Sequence, residues 1–358
     1  MTGQADKLNP KKGRGALSNA NSRYEEYRRE AFDDGWADEL PGPSLATTLL
    51  PDASKSVITF NKSPDIPFDR SINPYRGCEH GCVYCFARPS HTRLGLSAGL
   101  DFETKLFFKE NADQLLRKEL SRPTYQPAEM VLGANTDAYQ PVERKLGLTR
   151  RILEVLAETQ HPVSILTKSA LVERDVDILA EMAKNNLVRV FVSVTTLDAK
   201  LARTLEPRAA SPARRLAVVA SLTASGIPTG ALIAPLIPVL TDAELEHLLA
   251  AARSAGALDA DYVLLRLPLE INTLFQEWLT THAPLKAAHV MARVHDMRGG
   301  KAYDSEFGTR MTGTGLFADV IAQRFKLAHK KLQFPGMPAL NIQLFHAAKA
   351  QPLQGNLF

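Results

Sequence analysis

Apolar runs alternate with amphipathic stretches through most of this chain. β-rich runs fall at 129–135 (EMVLGAN), 162–169 (PVSILTKS), 188–196 (VRVFVSVTT), 227–238 (IPTGALIAPLIP) and 261–268 (DYVLLRLP). Apolar residues recur at helical spacing over 148–160, 173–186, 211–226 and 241–256, behind the first four of these runs. Ser211 and Thr241 stand where N-caps are expected, and Gly226 and Gly256 where left-handed C-caps sit. The segment 70–74 (RSINP) supplies a first strand and 111–120 its helix. The runs are nearly continuous rather than alternating, as in parallel strands buried on both faces. Six strand–helix units predict an α/β fold, a partial TIM-type (β/α)6 barrel, with a doubly wound sheet as the competitor.

The ends differ from the middle. Residues 1–45 are polar and uneven, and are expected to form a flexible arm with one short helix at 23–32. A core barrel is expected over 46–275, a C-terminal helical and glycine-containing cover over 276–345, and a tail over 346–358.

Polar residues collect where the strands end: Thr136, Asp137 and Tyr139 after the second, Lys168 and Ser169 after the third, Ser193, Thr195 and Thr196 in and after the fourth. In parallel α/β folds the C-terminal ends of the strands line the active site.

Composition adds context. The 358 residues are 45% hydrophobic and 23% charged, as in ordinary globular proteins, and a formal charge of +4 says little about partners. No apolar run is long enough to span a bilayer, and residues 1–14 lack the apolar segment of a secretory signal, so a cytoplasmic protein without a membrane partner is expected. Residues 286–331 hold nine Lys or Arg against four Asp or Glu. That excess reads as a solvated face, or alternatively as a footprint for a nucleic-acid backbone.

The three cysteines, Cys78, Cys82 and Cys85, lie within GCEHGCVYC. Clustered thiols in a reducing compartment bind metal or do redox chemistry rather than form disulfides. Soft thiolates suit zinc and iron–sulfur clusters, and Gly77 and Gly81 allow a tight loop. A 4Fe–4S cube usually takes four cysteines, so three would leave one iron open. His80 and His91 offer the alternative, a Cys3His zinc site; a non-catalytic electron-transfer module is the other.

Cys-x3-Cys-x2-Cys after a first strand, with Tyr84 before the third cysteine, resembles the radical S-adenosylmethionine superfamily. Together with NTDAYQPVER, SILTKS, SVTTLD, LEPRAASPARRL and LIAPLIP, it resembles the branch related to spore photoproduct lyase, over roughly residues 50–330. The resemblance implies a 4Fe–4S cluster on Cys78, Cys82 and Cys85 and S-adenosylmethionine on the open iron. An external one-electron reductant then drives cleavage to a 5′-deoxyadenosyl radical, which takes hydrogen from an unidentified substrate. It implies further that Tyr84 packs near the adenine, that Lys168 faces the cofactor's carboxylate, and that Ser193 and Thr195 lie near its amino-acid or ribose part. Asn135, Thr136 and Asp137 would sit near the methionyl amine, and Glu206 and Arg208 at the cofactor or substrate rim or in an ion pair. The lyase returns hydrogen to its product through a further cysteine, which this chain lacks. Either a tyrosine, Tyr139 or Tyr303, takes that role, or the reaction differs from DNA photoproduct repair. Oligomeric state is not legible.

Overall fold

The computed structural model describes residues 10–25 and 46–348. Six strands, β1 (Arg70–Ile72), β2 (Met130–Leu132), β3 (Val163–Thr167), β4 (Val188–Ser193), β5 (Thr229–Leu236) and β6 (Ala260–Leu264), lie side by side in chain order. Every neighbouring pair is parallel. A doubly wound sheet reverses its strand order at a switch point; this one never does. With right-handed crossovers an unreversed order keeps all helices on one side, which is the barrel arrangement.

Among the described residues the two edges of the sheet do not pair with each other. A strand at Ile58–Phe60 pairs antiparallel with β1 at one edge. At the other edge the Leu264 amide donates to the Met311 carbonyl at 2.9 Å, so the glycine-rich segment covers β6. A second, three-stranded sheet joins Thr48–Pro51, Lys105–Phe108 and Tyr75–Arg76 beside the cysteine loop.

Helices α1 (Ala112–Leu120), α2 (Leu148–Glu158), α3 (Val176–Ala183), α4 (Pro212–Ala224) and α5 (Leu245–Ser254) follow β1 to β5 in turn. Their buried faces, among them Leu116, Ile152, Leu179, Val218 and Leu248, meet Ile72, Met130, Ile165 and Val190 of the sheet. Each such side chain contributes about 1.5–3 kcal/mol on burial. Ser211 caps α4, accepting from the Arg214 amide at 3.3 Å, with Pro212 at the first helical position. Thr241 does not cap α5: its hydroxyl accepts the Ile237 amide at 2.8 Å, and a 3-10 turn at Asp242–Glu244 intervenes.

Three expectations change. The arm is not loose over residues 10–25: Arg14, Ala16, Leu17 and Ser22 are buried against the cysteine loop. The helix expected at 23–32 lies mostly outside the described residues. The boundary drawn at 275/276 falls inside α6 (Glu270–His282), which packs with α7 (Pro284–Asp296) in one apolar cluster that also takes Val83 and Leu265. The tail expected from 346 begins packed, with Ala348 buried and the His346 amide bonded to the Thr159 carbonyl at 3.1 Å. A last helix, α8 (Leu316–Lys331), rests on α5 through Arg324 and Glu246, 2.6 Å apart.

Candidate active site

The loop after β1 bends its thiols inward through a set of backbone bonds. The Cys78 amide donates to the Phe102 carbonyl at 2.9 Å, and the Val83 amide to Leu205 at 3.0 Å. Arg88, fully enclosed, donates to the carbonyls of Gly81, Cys82, Ala98 and Gly99 at 2.8–3.1 Å and pairs with Glu103. Glu103 in turn accepts the amides of Gly15 and Ala16 at 3.0 and 2.9 Å. Gln140 holds the other side, bonding the Glu79 amide and the Gly77 carbonyl at 2.8 and 3.1 Å. All three cysteines are free thiols, Cys78 and Cys82 buried and Cys85 partly so. Burial, reinforced by Glu206, pushes the Cys82 thiol up to about 12, and burial with Asp137 pushes Cys78 up as well. Both thiols also interact electrostatically with Cys85, three residues beyond Cys82 on the same loop.

Two carboxylates stand beside these thiols, Glu206 buried and Asp137 nearly so. Asp137 accepts the Lys168 amide at 2.7 Å, the Tyr139 amide at 2.9 Å and the Thr167 hydroxyl at 2.9 Å, and its carboxylate stands 3.3 Å from His80 Nδ1. Burial would raise its pKa, but His80 and these donors outweigh burial and hold it below the usual range. Glu206 accepts from the Tyr84 hydroxyl, from Thr195 Oγ1 at 3.0 Å and from Arg215. Arg215 also donates to the Ser193 carbonyl at 3.1 Å. Lys168 places its ammonium 6.0 Å from the Tyr84 ring centroid and within electrostatic range of Cys82 and Glu206.

Tyr84, Lys168, Ser193, Thr195 and Glu206 thus meet beside Cys82. Asn135 is exposed, and its amide and that of Thr136 bond Asn73 Oδ1. Arg208 pairs with Glu79 at 2.9 Å, not with Glu206. Tyr139 is buried in the main core, and its hydroxyl donates to Asp175 at 3.1 Å. Tyr303 accepts from Arg266 at 3.1 Å, and Arg266 reaches Phe86, next to Cys85.

A model of the Radical SAM superfamily matches residues 72–252, half of the chain. An uncharacterised protein of Mycobacterium tuberculosis is 38% identical over 229 residues, covering 63% of this chain and 67% of the relative. One of Methanocaldococcus jannaschii is 30% identical over 173 residues, 48% of this chain and 62% of the relative.

The chain belongs to the radical SAM superfamily.

Its fold resembles that of spore photoproduct lyase complexed with dinucleoside spore photoproduct, at a TM-score of 0.60 and 14% identity over 84% of this chain and 86% of that one. A mutant of that lyase with bound AdoMet and the same dinucleoside aligns at 0.59 and 14%, over 84% and 86%. This radical SAM chain therefore uses a 4Fe–4S cluster and S-adenosylmethionine.

The donor set fits such a cluster. Three free thiols stand on one short loop, two of them buried, within electrostatic reach of one another. The zinc alternative fits poorly. Its fourth ligand would have to be a histidine, and both candidates are engaged elsewhere. His80 is held by Asp137, and His91 Nε2 by the Lys105 carbonyl at 2.8 Å.

Sequence reasoning missed Arg88, Glu103 and Arg215. Arg215 had a signal: it stands in phase with Pro212, Val218, Val219 and Leu222, the buried face of α4, whereas Arg214 pairs outside with Glu173. A lone cation in an apolar helical stripe demands a buried anion.

Proposed function

We propose that this chain is a radical SAM enzyme in which Cys78, Cys82 and Cys85 hold the cluster and leave one iron for S-adenosylmethionine. The observation that carries the reading is the grouping of three free thiols with Lys168, Tyr84 and the Glu206–Arg215 pair at one end of the sheet. A cluster held by these cysteines would supply, with an electron from an external reductant, the reductive cleavage of S-adenosylmethionine that leads to hydrogen abstraction from substrate. Lys168 meets the cofactor's carboxylate, and Tyr84, fixed by Glu206, lines its adenine. Ser193 and Thr195 stand at the ribose or amino-acid part. Asp137, with Asn135 and Thr136, fixes the end of β2 near the methionyl amine. Arg208, held by Glu79, forms the rim. The enclosing sheet and the packed residues 10–25 keep water from the radical.

Of the two tyrosines, Tyr303 is our assignment for hydrogen return, because it connects through Arg266 to Phe86 of the cysteine loop. The core at 46–275 and the cover at 276–345 act as one enclosure. Free thiols fit a cytoplasmic setting, and among the described residues no helix is long and apolar enough to cross a membrane. Nucleic acid as substrate, the photoproduct-lyase reading, draws on the lyase neighbours but loses part of its charge argument. Of the nine basic residues in 286–331, Arg293, Arg310 and Arg324 are ion-paired and Arg298 is buried.

Anaerobically reconstituted, dithionite-reduced protein is expected to form 5′-deoxyadenosine, and Cys82→Ala to abolish it with the fold retained. A colourless protein that binds zinc and forms none would overturn the reading.

A further inference from the structure

Arg88 and Arg215 each have a buried carboxylate partner, Glu103 and Glu206. Arg266, just past the end of β6, and Arg298, after α7, have none among the described residues. Arg298 is 2% exposed; its two terminal nitrogens donate to the Thr309 and Leu265 carbonyls at 3.0 and 3.1 Å. Arg266, on the residue after Leu265, donates to Met311 Sδ at 3.3 Å and to the Tyr303 hydroxyl at 3.1 Å. Its guanidinium lies 5.5 Å from the Phe86 ring centroid and 5.7 Å from that of Tyr303. The Nε of both arginines is buried and without a partner. Burial and then Arg266 lower the pKa of Arg298, and Asp304 offsets this only at a distance, without an ion pair. Two guanidiniums within electrostatic range of each other, Arg298 desolvated and Arg266 half-buried, call for an anion, and no carboxylate among the described residues pairs with either.

We infer that Arg266, backed by Arg298, holds an oxyanion of the substrate, a phosphate or a carboxylate, between the cysteine loop and the glycine-rich cover. Phe86, 46% exposed beside Cys85, and Tyr303 stack on the Arg266 guanidinium and fix its plane, so that its edge meets the oxyanion. The inference rests on the radical SAM reading of this end of the sheet, and names what its substrate must carry. A planar guanidinium fork matches either oxyanion bidentately.

The test uses reconstituted holoenzyme with S-adenosylmethionine in saturating excess, so that the cofactor's own carboxylate site is filled. Isothermal titration with inorganic pyrophosphate and, separately, malonate tells phosphate from carboxylate. At least one is expected to bind, and Arg266→Gln to weaken it by about tenfold or more, the worth of a charge-assisted bond. Arg266→Lys, which keeps the charge and loses the fork, is expected in between, and decides the matter if the glutamine variant fails to fold. Binding of neither anion, or equal binding by wild type and the folded variant, would overturn the inference. Measuring 5′-deoxyadenosine in the same samples separates the two claims. Cleavage without anion binding overturns the anion site alone. Anion binding without cleavage overturns the enzymatic reading alone.

Discussion

Arg88 and Glu103 form an ion pair 2.5 Å long with both side chains fully enclosed. Through it three segments are tied together. Arg88 grips the carbonyls of the cysteine loop and of the turn before the short helix Leu100–Thr104, while Glu103 takes the amides of Gly15 and Ala16. A buried pair is a poor source of net stability but costly to break, because the survivor is left as a bare charge.

Glu103→Ala is therefore expected to cost about 3–5 kcal/mol and to lower the iron bound per chain. Urea denaturation and metal analysis after reconstitution check both. A loss below 1 kcal/mol with full iron content would show that the pair does not hold the loop.

Gly15 tests the packed N-terminal segment separately. A Cβ there would lie 1.8 Å from the Gly81 carbonyl oxygen, which cannot retreat because it accepts from Arg88. Gly15→Ala is expected to detach residues 10–25 and expose the bond after Arg14 to trypsin while the sheet still folds. Unchanged digestion would contradict the packing.

Lys168 is half-buried and has no carboxylate within ion-pair distance among the described residues, although Tyr84 and Glu206 lie close. Its charge is assigned to the cofactor. Lys168→Met is expected to weaken S-adenosylmethionine binding by about tenfold or more, with little change in melting temperature. Equal affinity would remove Lys168 from the site.

Much of this architecture was legible from the chain, and for identifiable reasons. VSILT is buried almost throughout and VRVFVS is buried on one face and half-buried on the other, so a nearly continuous apolar run marked a parallel strand. Their polar ends, Lys168 and Thr195, then marked the functional side of the sheet. Tyr75–Arg76 is a two-residue strand with no period to read, so the small sheet could not be foreseen. Residues 10–25 looked loose because composition reports only side chains, whereas Gly15 and Ala16 are held by their amides. Glu206 was picked out with Arg208, either at the cofactor or substrate rim or as an ion pair with it, by proximity in sequence. The helix turn places Arg215 there instead, and sends Arg208 to Glu79.

Acid sensitivity should arise in part at the far end of the sheet, beside a like share from buried His91 at the cysteine loop. His161 bonds Tyr125 through Nε2 at 2.7 Å and packs on Phe345, and burial, outweighing the Pro162 carbonyl, lowers its pKa from 6.5 to about 4. Its depressed folded value means that the unfolded chain takes up the proton first as pH falls. Stability is thus full above pH 6.5, is lost progressively between 6.5 and about 4, and this residue's share is about 3 kcal/mol. His161→Gln is expected to flatten the decline in urea stability across that window. An unchanged slope would assign the acid sensitivity elsewhere.

The central claim is that three cysteines hold the cluster and the fourth iron belongs to S-adenosylmethionine. Electron–nuclear double resonance on the reduced cluster, with the cofactor's amino nitrogen isotopically labelled, tests it most directly. The account predicts a strong coupling from that nitrogen to a single iron, lost in Cys85→Ala. A cluster whose fourth iron keeps a protein ligand with the labelled cofactor in excess would contradict it.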